Sequence, residues 1–502
     1  MPVAEGGDQY SVWVGLIYIF NLIVGTGGLT LPAAFARAGW GLSTITLVFL
    51  AFMSFVNATY VIETMACANA VFKWKRLQLL KRNSMQDKEN SEQTTSNPPE
   101  YAELEDSVVC GDSEPSQYYS LDKRIELGEM ANLFLSKTGQ TMVYCILCVY
   151  LYGELSIYSA AASKSLMHVV CSTVPSNMQN ITDGPCFHDS EGTFTRIDCY
   201  RVALLTFFAA MGPFVFFNVQ KTKYLQLFTS GMRWLAFVIM ISMAIHLLIK
   251  HGPQGKPPAF DFTGMPNLFG TCAYVFMCHH SLPGLISPIR GKSHLGLHLS
   301  LDYMVISIFY LLLAFTGAFA FANLNDLYTL NFVPTNNENI FLEIVAYFLA
   351  LFPVFTLSTS FPIIAITLRN NLQSLFLDTS RLESYNFVLR KLIFPIVAVV
   401  PPLLLTYFLE DISVLIMFTW SYVSSWIQYL IPTFLVLFAR RHCANLLGLG
   451  VVNRYKSPFS NVSWAVFVLL WSFICIILGA VNTIEKDSDR ETSYFNEVFN
   501  FK

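Results

Sequence analysis

The chain alternates between long apolar segments and mostly short polar connections. Eleven of the apolar segments reach the roughly 20 residues that a helix needs to cross a bilayer. They lie near residues 11–36, 41–66, 140–170, 199–218, 224–249, 266–287, 300–322, 340–368, 387–409, 412–438 and 462–483. The pattern therefore predicts an all-α polytopic membrane protein in which eleven transmembrane helices form a single domain over residues 1–502.

The composition agrees with this prediction. Of the 502 residues, 54% are hydrophobic and only 13% are charged, whereas soluble domains carry about 25% charged residues. The net charge of −3 gives no indication of a nucleic-acid partner. The sequence contains no convergent set of catalytic side chains, so we expect a protein that is not an enzyme and has no resident cofactor.

The first apolar segment is unusual for a spanning helix. It reads NLIVGTGGLTLPAAFARAGW over residues 21–40, and its helix-breaking residues are Gly25, Gly27, Gly28 and Pro32. Unwound backbone at membrane depth is tolerated only where it is buried in protein or lines a cavity. We expect helical hydrogen bonding to fail at residues 24–26, where freed carbonyls suit a cation and the following amides suit a carboxylate. The alternative is that the glycines only allow close helix packing.

The sixth apolar segment carries a second interruption. It reads GTCAYVFMCHHSLPG over residues 270–284. Corresponding breaks in the two halves of a transporter are the best sequence indication of its binding site. Two breaks that are five spans apart therefore predict an inverted-repeat transporter.

Both interrupted segments resemble the amino acid/auxin permease family. The similar motifs are the first-span run given above, FMCHHSLP in the sixth span, and Ile427 with Ile431-Pro432 and Phe434 in the tenth. More narrowly, the chain resembles an orphan branch, the transmembrane protein 104 family, through WVGLIYIFNLIVGTG (13–27), VQKTKYLQ (219–226), LDY (301–303) and FPIIAITLRNN (361–371). The resemblance implies that the first ten spans adopt the five-plus-five inverted repeat of the bacterial leucine transporter, with broken first and sixth helices.

The breaks and the resemblance together indicate a substrate site and a cation site. The expected substrate-binding residues are Gly25, Thr26, Gly27, Gly28, Tyr274, Phe276, Cys278 and His279. In Na⁺-coupled members of the family, an Asn and carbonyls of the first helix and hydroxyls of the eighth hold the ion. The matching residues here are Asn21, Val24, Ser358, Thr359 and Ser360. The alternative for these hydroxyls is that they bond only to their own helix.

Glu154 lies in the middle of the third predicted span. An intramembrane acid is costly and by default functional, so Glu154 is the candidate proton carrier, with H⁺ as the alternative coupling ion. The other interpretation is a neutral carboxyl that is hydrogen-bonded to a neighbouring helix.

One long connection, residues 73–125, begins with basic residues and continues as an acidic stretch rich in Ser, Asn and Pro. It has too few apolar residues to fold, so we expect a disordered cytoplasmic loop. Within it, Pro98-Pro99-Glu100-Tyr101 fits the PPxY pattern that WW domains bind, which suggests a WW-domain ubiquitin ligase as a partner.

The loop over residues 171–198 is expected outside the cell or in a lumen. It contains a glycosylation sequon at Asn180, and one disulfide is expected among Cys171, Cys186 and Cys199. The distribution of Lys and Arg places the N-terminus in the cytoplasm and the C-terminus on the other side. The membrane is expected to be lysosomal, endosomal or plasma membrane.

These features favour a secondary transporter that moves an amino acid or a similar small zwitterion by alternating access, coupled to Na⁺ or H⁺. The other interpretation is an amino-acid sensor that does not transport and signals through its cytoplasmic loop.

Overall fold

The computed structural model describes residues 9–92, 118–171, 184–187, 194–216, 223–325, 327–332, 340–377, 387–409, 423–448 and 450–499. Within these residues the regular secondary structure is helical, apart from two isolated β-bridges. The helices are α1 (Val12–Ile23), α2 (Thr26–Ala38), α3 (Trp40–Glu92), α4 (Leu127–Phe134), α5 (Lys137–Val170), α6 (Arg196–Met211), α7 (Lys223–His251), α8 (Met265–Val275), α9 (Leu282–Ile286), α10 (Leu295–Ala320), α11 (Ile340–Phe376), α12 (Phe394–Phe408), α13 (Ile431–Leu447) and α14 (Val462–Phe499).

Eight of the described helical segments are long and apolar enough to cross a membrane, and α1 with α2 makes a further span that is bent by 55°. The sixth predicted segment forms two helices, α8 and α9, each too short to span alone. The tenth falls partly on residues 410–422, which lie outside the described residues, and continues as α13. The prediction of a multi-pass helical membrane protein is confirmed, whereas the count of eleven stays a prediction.

The two broken spans lie inside the bundle. Helix α2 packs against α8 and α10, and α1 packs against α10 and α9. Around them, α5 runs along α11 and α6, and α3 runs along α13. Helices α3 and α5 are the most enclosed of the long helices, whereas α7 and α14 present most of their spanning surface outwards. The helix breaks are thus surrounded by protein, which is the condition for unwound backbone at this depth.

A buried ion pair joins α3 to α13 at one end of the bundle. The Glu63 carboxylate accepts two hydrogen bonds from Arg440, from Nε at 2.8 Å and from Nη2 at 2.7 Å. Glu63 also accepts from the Ser457 amide at 3.0 Å, and Arg440 donates to the Ser460 carbonyl at 3.0 Å. These four contacts hold residues 450–461 against the two helices. We call this end, which also carries Lys292, the basic end.

The predicted disorder of residues 73–125 needs correction at both ends of that segment. Helix α3 continues to Glu92. At the other end Leu121 and Ile125 are fully buried, and Lys292 Nζ donates to the Leu121 carbonyl at 3.0 Å. The polar composition of the whole segment concealed these few apolar anchors. Residues 93–117, with the PPxY motif, lie outside the described residues.

The three cysteines of the predicted outer loop lie together. Cys171 and Cys186 form a disulfide with Cα atoms 4.7 Å apart, and Cys199 is a buried free thiol beside it. The glycosylation prediction at Asn180 falls outside the described residues.

Candidate functional site

The first span is interrupted at Val24 and Gly25. Helix α1 ends at Ile23, and neither of the two following residues has helical backbone angles: φ and ψ are −79° and 75° at Val24, and −110° and −144° at Gly25. Helix α2 then begins at Thr26, whose side chain lies outside the described residues. The predicted break is therefore confirmed, at the position where the glycines cluster.

The glycines of this segment have different surroundings. A Cβ built on Gly27 would lie 2.6 Å from the Tyr274 ring, and one on Gly28 would lie 3.1 Å from the Tyr310 ring. A Cβ on Gly25 would meet only the Leu22 carbonyl, at 3.9 Å. Gly27 and Gly28 thus serve close packing, whereas Gly25 faces open space. The interpretation of close helix packing therefore applies to Gly27 and Gly28, and that of unwound backbone lining a cavity applies to Gly25.

The sixth span is interrupted between α8 and α9, over residues 276–281. Phe276 stacks on the Tyr303 ring with centroids 6.2 Å apart, and Cys278 Sγ lies 3.2 Å from the Tyr303 hydroxyl. A ring nitrogen of His279 lies 3.1 Å from the Ser54 carbonyl of α3. The structure thus places these three predicted pocket residues against α3 and α10, and it is Tyr274 that contacts the first span.

One hydroxyl connects the two breaks. Tyr310 of α10 donates towards the Ile23 carbonyl at 2.8 Å and the Val275 carbonyl at 3.1 Å. Ile23 is the last residue of α1, and Val275 is the last residue of α8. Because a hydroxyl has a single proton, the two carbonyls share it. The carboxyl ends of both half-helices therefore meet at Tyr310.

Two first-span residues predicted at the Na⁺ site, Asn21 and Val24, accept hydrogen bonds from a side chain through their backbone carbonyls. Arg233 of α7 donates from Nη1 to the Asn21 carbonyl and, at 3.1 Å, to the Val24 carbonyl. The Asn21 side-chain amide donates to the Ile17 carbonyl at 2.8 Å in its own helix. An arginine thus lies where the sequence indicated an ion.

The hydroxyls of the predicted Na⁺ site bond within α11. Ser358 donates to the Val354 carbonyl at 2.6 Å, and Thr359 and Ser360 donate to the Thr356 carbonyl at 2.9 and 3.2 Å. This is the arrangement that the alternative interpretation describes, in which Ser and Thr satisfy their protons on the preceding turn.

Glu154 lies beside this region on α5. It is buried, and its Oε1 accepts from the Tyr158 hydroxyl at 3.1 Å. In the described part of the chain its Oε2 has no hydrogen-bond partner. Tyr158 in turn lies close enough to Arg233 to interact with its charge, as do Tyr274 and Tyr310. We call Glu154, Tyr158, Arg233, Tyr274 and Tyr310 the central cluster.

Comparisons with known proteins agree with this architecture. A family model described as transmembrane amino acid transporter protein matches residues 8–73, which contain the broken first span. The chain is 50% identical to the transmembrane protein 104 homolog of Drosophila melanogaster, over 95% of this chain and 98% of that protein. It is 45% identical to transmembrane protein 104 of Homo sapiens, over 96% and 98%. The chain belongs to the transmembrane protein 104 family. The narrower resemblance seen in the motifs is thereby confirmed.

A solved structure shows that this transmembrane protein 104 family member has a known transporter fold. The crystal structure of MhsT in complex with L-phenylalanine matches with a TM-score of 0.53, over 95% of this chain and 99% of that chain, at 13% identity. The predicted fold class, an inverted repeat of the bacterial leucine transporter type with broken first and sixth helices, is confirmed.

Sequence reasoning missed three members of the central cluster. Arg233 carried a signal, because arginine inside an apolar segment is rare and usually has a partner in the bundle. Its partners are backbone carbonyls, which no sequence pattern reveals. Tyr158 and Tyr310 carried no comparable signal, since tyrosine is common in spans of this composition.

Proposed function

We propose that this chain is a secondary transporter that moves amino acids or similar small zwitterions by alternating access. The observation that supports it most is the meeting of two interrupted helices at one hydroxyl, that of Tyr310. Backbone amides and carbonyls that are freed at membrane depth need partners. A zwitterion offers a carboxylate to the amides and an ammonium to the carbonyls. The match of residues 8–73 to an amino acid transporter model points the same way.

In this proposal the substrate carboxylate binds the amides at the start of α2, around Gly25 to Gly28. The Gly25 and Gly28 amides donate to the Ile23 and Gly25 carbonyls, at 2.9 and 3.2 Å. The carboxylate would therefore meet the amides between them, those of Thr26 and Gly27, where the helix dipole adds positive potential. The substrate ammonium would face carbonyls of residues 276–281, after the negative end of α8. Tyr274, packed on Gly27, would border the substrate side chain.

The half-helices are paired in a way that suits alternating access. At the basic end Tyr10 donates to the Leu285 carbonyl at 2.5 Å, and Gly15 of α1 packs on Ile289 just after α9. On the other side of the breaks α2 packs on α8 through Gly27. The first half of the first span is thus joined to the second half of the sixth, and the second half of the first span to the first half of the sixth. Such pairs can move as units around a central site.

For proton coupling we propose Glu154 as the carrier, and Glu154→Gln tests this. Glutamine resembles the protonated carboxyl, so exchange of substrate across the membrane should persist while accumulation driven by a pH gradient is lost. Both are measured as labelled uptake, with and without the gradient. The matched control is Glu343→Gln at the start of α11. Unchanged gradient-driven accumulation in Glu154→Gln would contradict the assignment.

A sensor that does not transport is the second candidate, and contacts of the long loop favour it. The Arg124 guanidinium lies against Gly284 of α9, where a Cβ would be 3.2 Å from Cζ. Lys292 joins the same loop, at Leu121, to the segment after α9. Movement of the broken sixth span would therefore reach the loop directly. A WW-domain ubiquitin ligase at Pro98–Tyr101 is the partner that we propose for this loop.

Uptake of a labelled amino-acid panel separates the two candidates. Cells expressing the chain are compared with mock cells at two pH values, with Na⁺ present or replaced by choline. A transporter gives saturable uptake of at least one amino acid. A sensor gives saturable binding to the purified protein without uptake. The absence of both binding and uptake would contradict both.

A further inference from the structure

We propose that Arg233 is a built-in cation, which permanently fills the position at the first break where a coupling Na⁺ would bind, so that transport does not depend on Na⁺. This inference rests on the proposed transport function and specifies that transport is not coupled to Na⁺. It concerns a residue for which the sequence analysis predicted no role.

The geometry of the contact is that of a cation site. Arg233 Nη1 reaches two carbonyls that are three residues apart, those of Asn21 and Val24. Both are at the carboxyl end of α1, where the helix dipole places partial negative charge. Carbonyl oxygens with this arrangement bind hard cations, and a guanidinium makes charge-assisted hydrogen bonds to the same atoms. The guanidinium and a Na⁺ cannot both bind the Asn21 and Val24 carbonyls at the same time.

The two carbonyls are the part of the predicted ion site that Arg233 occupies, whereas the other predicted ligands do not bond to it. The hydroxyls of Ser358, Thr359 and Ser360 donate to carbonyls of α11 and keep their lone pairs, and among the described residues the buried Asn21 Oδ1 has no hydrogen-bond partner. A Na⁺ at the two carbonyls would have to displace Arg233 and then compete with its nearby charge. Arginine stays protonated in proteins, so that charge is constant through a transport cycle.

The surroundings of Arg233 explain how its charge is accommodated. Among the described residues no carboxylate forms an ion pair with it. Its hydrogen-bond acceptors are the two carbonyls, and Tyr158, Tyr274 and Tyr310 lie close enough to interact with its charge. Tyr158 links it to Glu154, whose Oε1 accepts from the Tyr158 hydroxyl. Tyr158 thus bonds to the acid and lies near the fixed positive charge, and of these two charged groups it is Glu154 whose protonation can change.

The test combines uptake with a measurement that needs no transport. Wild type and the variants Arg233→Lys and Arg233→Ala are assayed for uptake in Na⁺ and in choline, and for melting temperature after purification in the same two salts. Lys250→Ala, at the exposed end of α7, is the matched control.

We expect wild-type uptake and melting temperature to be the same in both salts. Arg233→Ala should melt at a lower temperature, and Na⁺ but not choline should restore part of the loss by occupying the vacated carbonyls. Arg233→Lys should behave like wild type with respect to Na⁺, which keeps the test valid if the alanine variant does not fold.

Two results would overturn the inference. The first is wild-type uptake that falls by about tenfold or more in choline, the size of an ordinary coupling free energy. The second is saturable stabilisation of the wild type by Na⁺. If no uptake is found in either salt, the transport proposal fails, and the melting temperatures alone still decide whether Arg233 occupies the cation position.

Discussion

Gly25→Val is expected to abolish uptake while the protein still folds and reaches its membrane. The backbone at Gly25 has φ of −110°, which is outside the left-handed region that favours glycine. Its Cβ would meet only the Leu22 carbonyl, at 3.9 Å. A Cβ therefore has room there, and the methyl groups of valine would extend from it into the open space beside the first amides of α2. That is the space in which we place the substrate carboxylate.

The measurements for Gly25→Val are labelled uptake, surface biotinylation and the melting temperature of the purified protein. Gly296→Val is the matched control, because a Cβ at Gly296 also meets nothing within 4 Å but lies at the start of α10. Gly27→Val is a contrasting variant, since its Cβ collides with Tyr274 at 2.6 Å and should reduce the amount of folded protein. Wild-type uptake by Gly25→Val would contradict the assignment of the carboxylate site.

Glu63→Ala is expected to cause the largest loss of stability. Removing one partner of a buried ion pair leaves the other charge uncompensated, at a cost of about 3–5 kcal/mol. Here Arg440 loses both of its carboxylate contacts, and the Ser457 amide loses its acceptor. The segment after α13 then keeps only its weaker contacts to α3, such as those of Thr59 with the Ser457 hydroxyl at 2.7 Å and of Tyr60 with the Phe459 carbonyl at 3.0 Å. We expect a much lower melting temperature in detergent and a reduced yield of folded protein.

Two controls separate the ion pair from a general loss of charge. Arg441→Ala removes the neighbouring exposed arginine and should change the melting temperature little. The double variant Glu63→Ala/Arg440→Ala should lose less than the sum of the two single variants, because the pair acts as a unit. A melting temperature of Glu63→Ala equal to that of Arg441→Ala would show that the pair does not stabilise the bundle.

The sequence was sufficient to predict the class of fold and the location of both helix breaks. Glycine and proline act through the local backbone, so GTGG before Pro32 marks the first break without knowledge of the rest of the chain. The motifs around the breaks also carried the family resemblance. These predictions depend on short-range properties, which a single sequence contains.

The contacts that define the site depend on distant parts of the chain. Arg233 and Asn21 are 212 residues apart, and a bond to a backbone carbonyl requires no particular residue at the acceptor. The same holds for Tyr310, which contacts the carbonyls of Ile23 and Val275. The sequence also does not reveal which way side chains point from unwound backbone. The His279 ring contacts the Ser54 carbonyl, whereas the ring centroid of the adjacent His280 lies 5.1 Å from that of Tyr150.

The most direct test of the account is counterflow in liposomes that contain only the purified protein. Vesicles are loaded with an unlabelled amino acid from the panel, and the entry of its labelled form is followed for wild type, Gly25→Val and Gly296→Val. The account predicts transient accumulation of label by wild type and Gly296→Val, in Na⁺ and in choline alike, and none by Gly25→Val. Label entry that is the same in all three vesicle types and in protein-free liposomes would contradict the central claim that this chain transports amino acids.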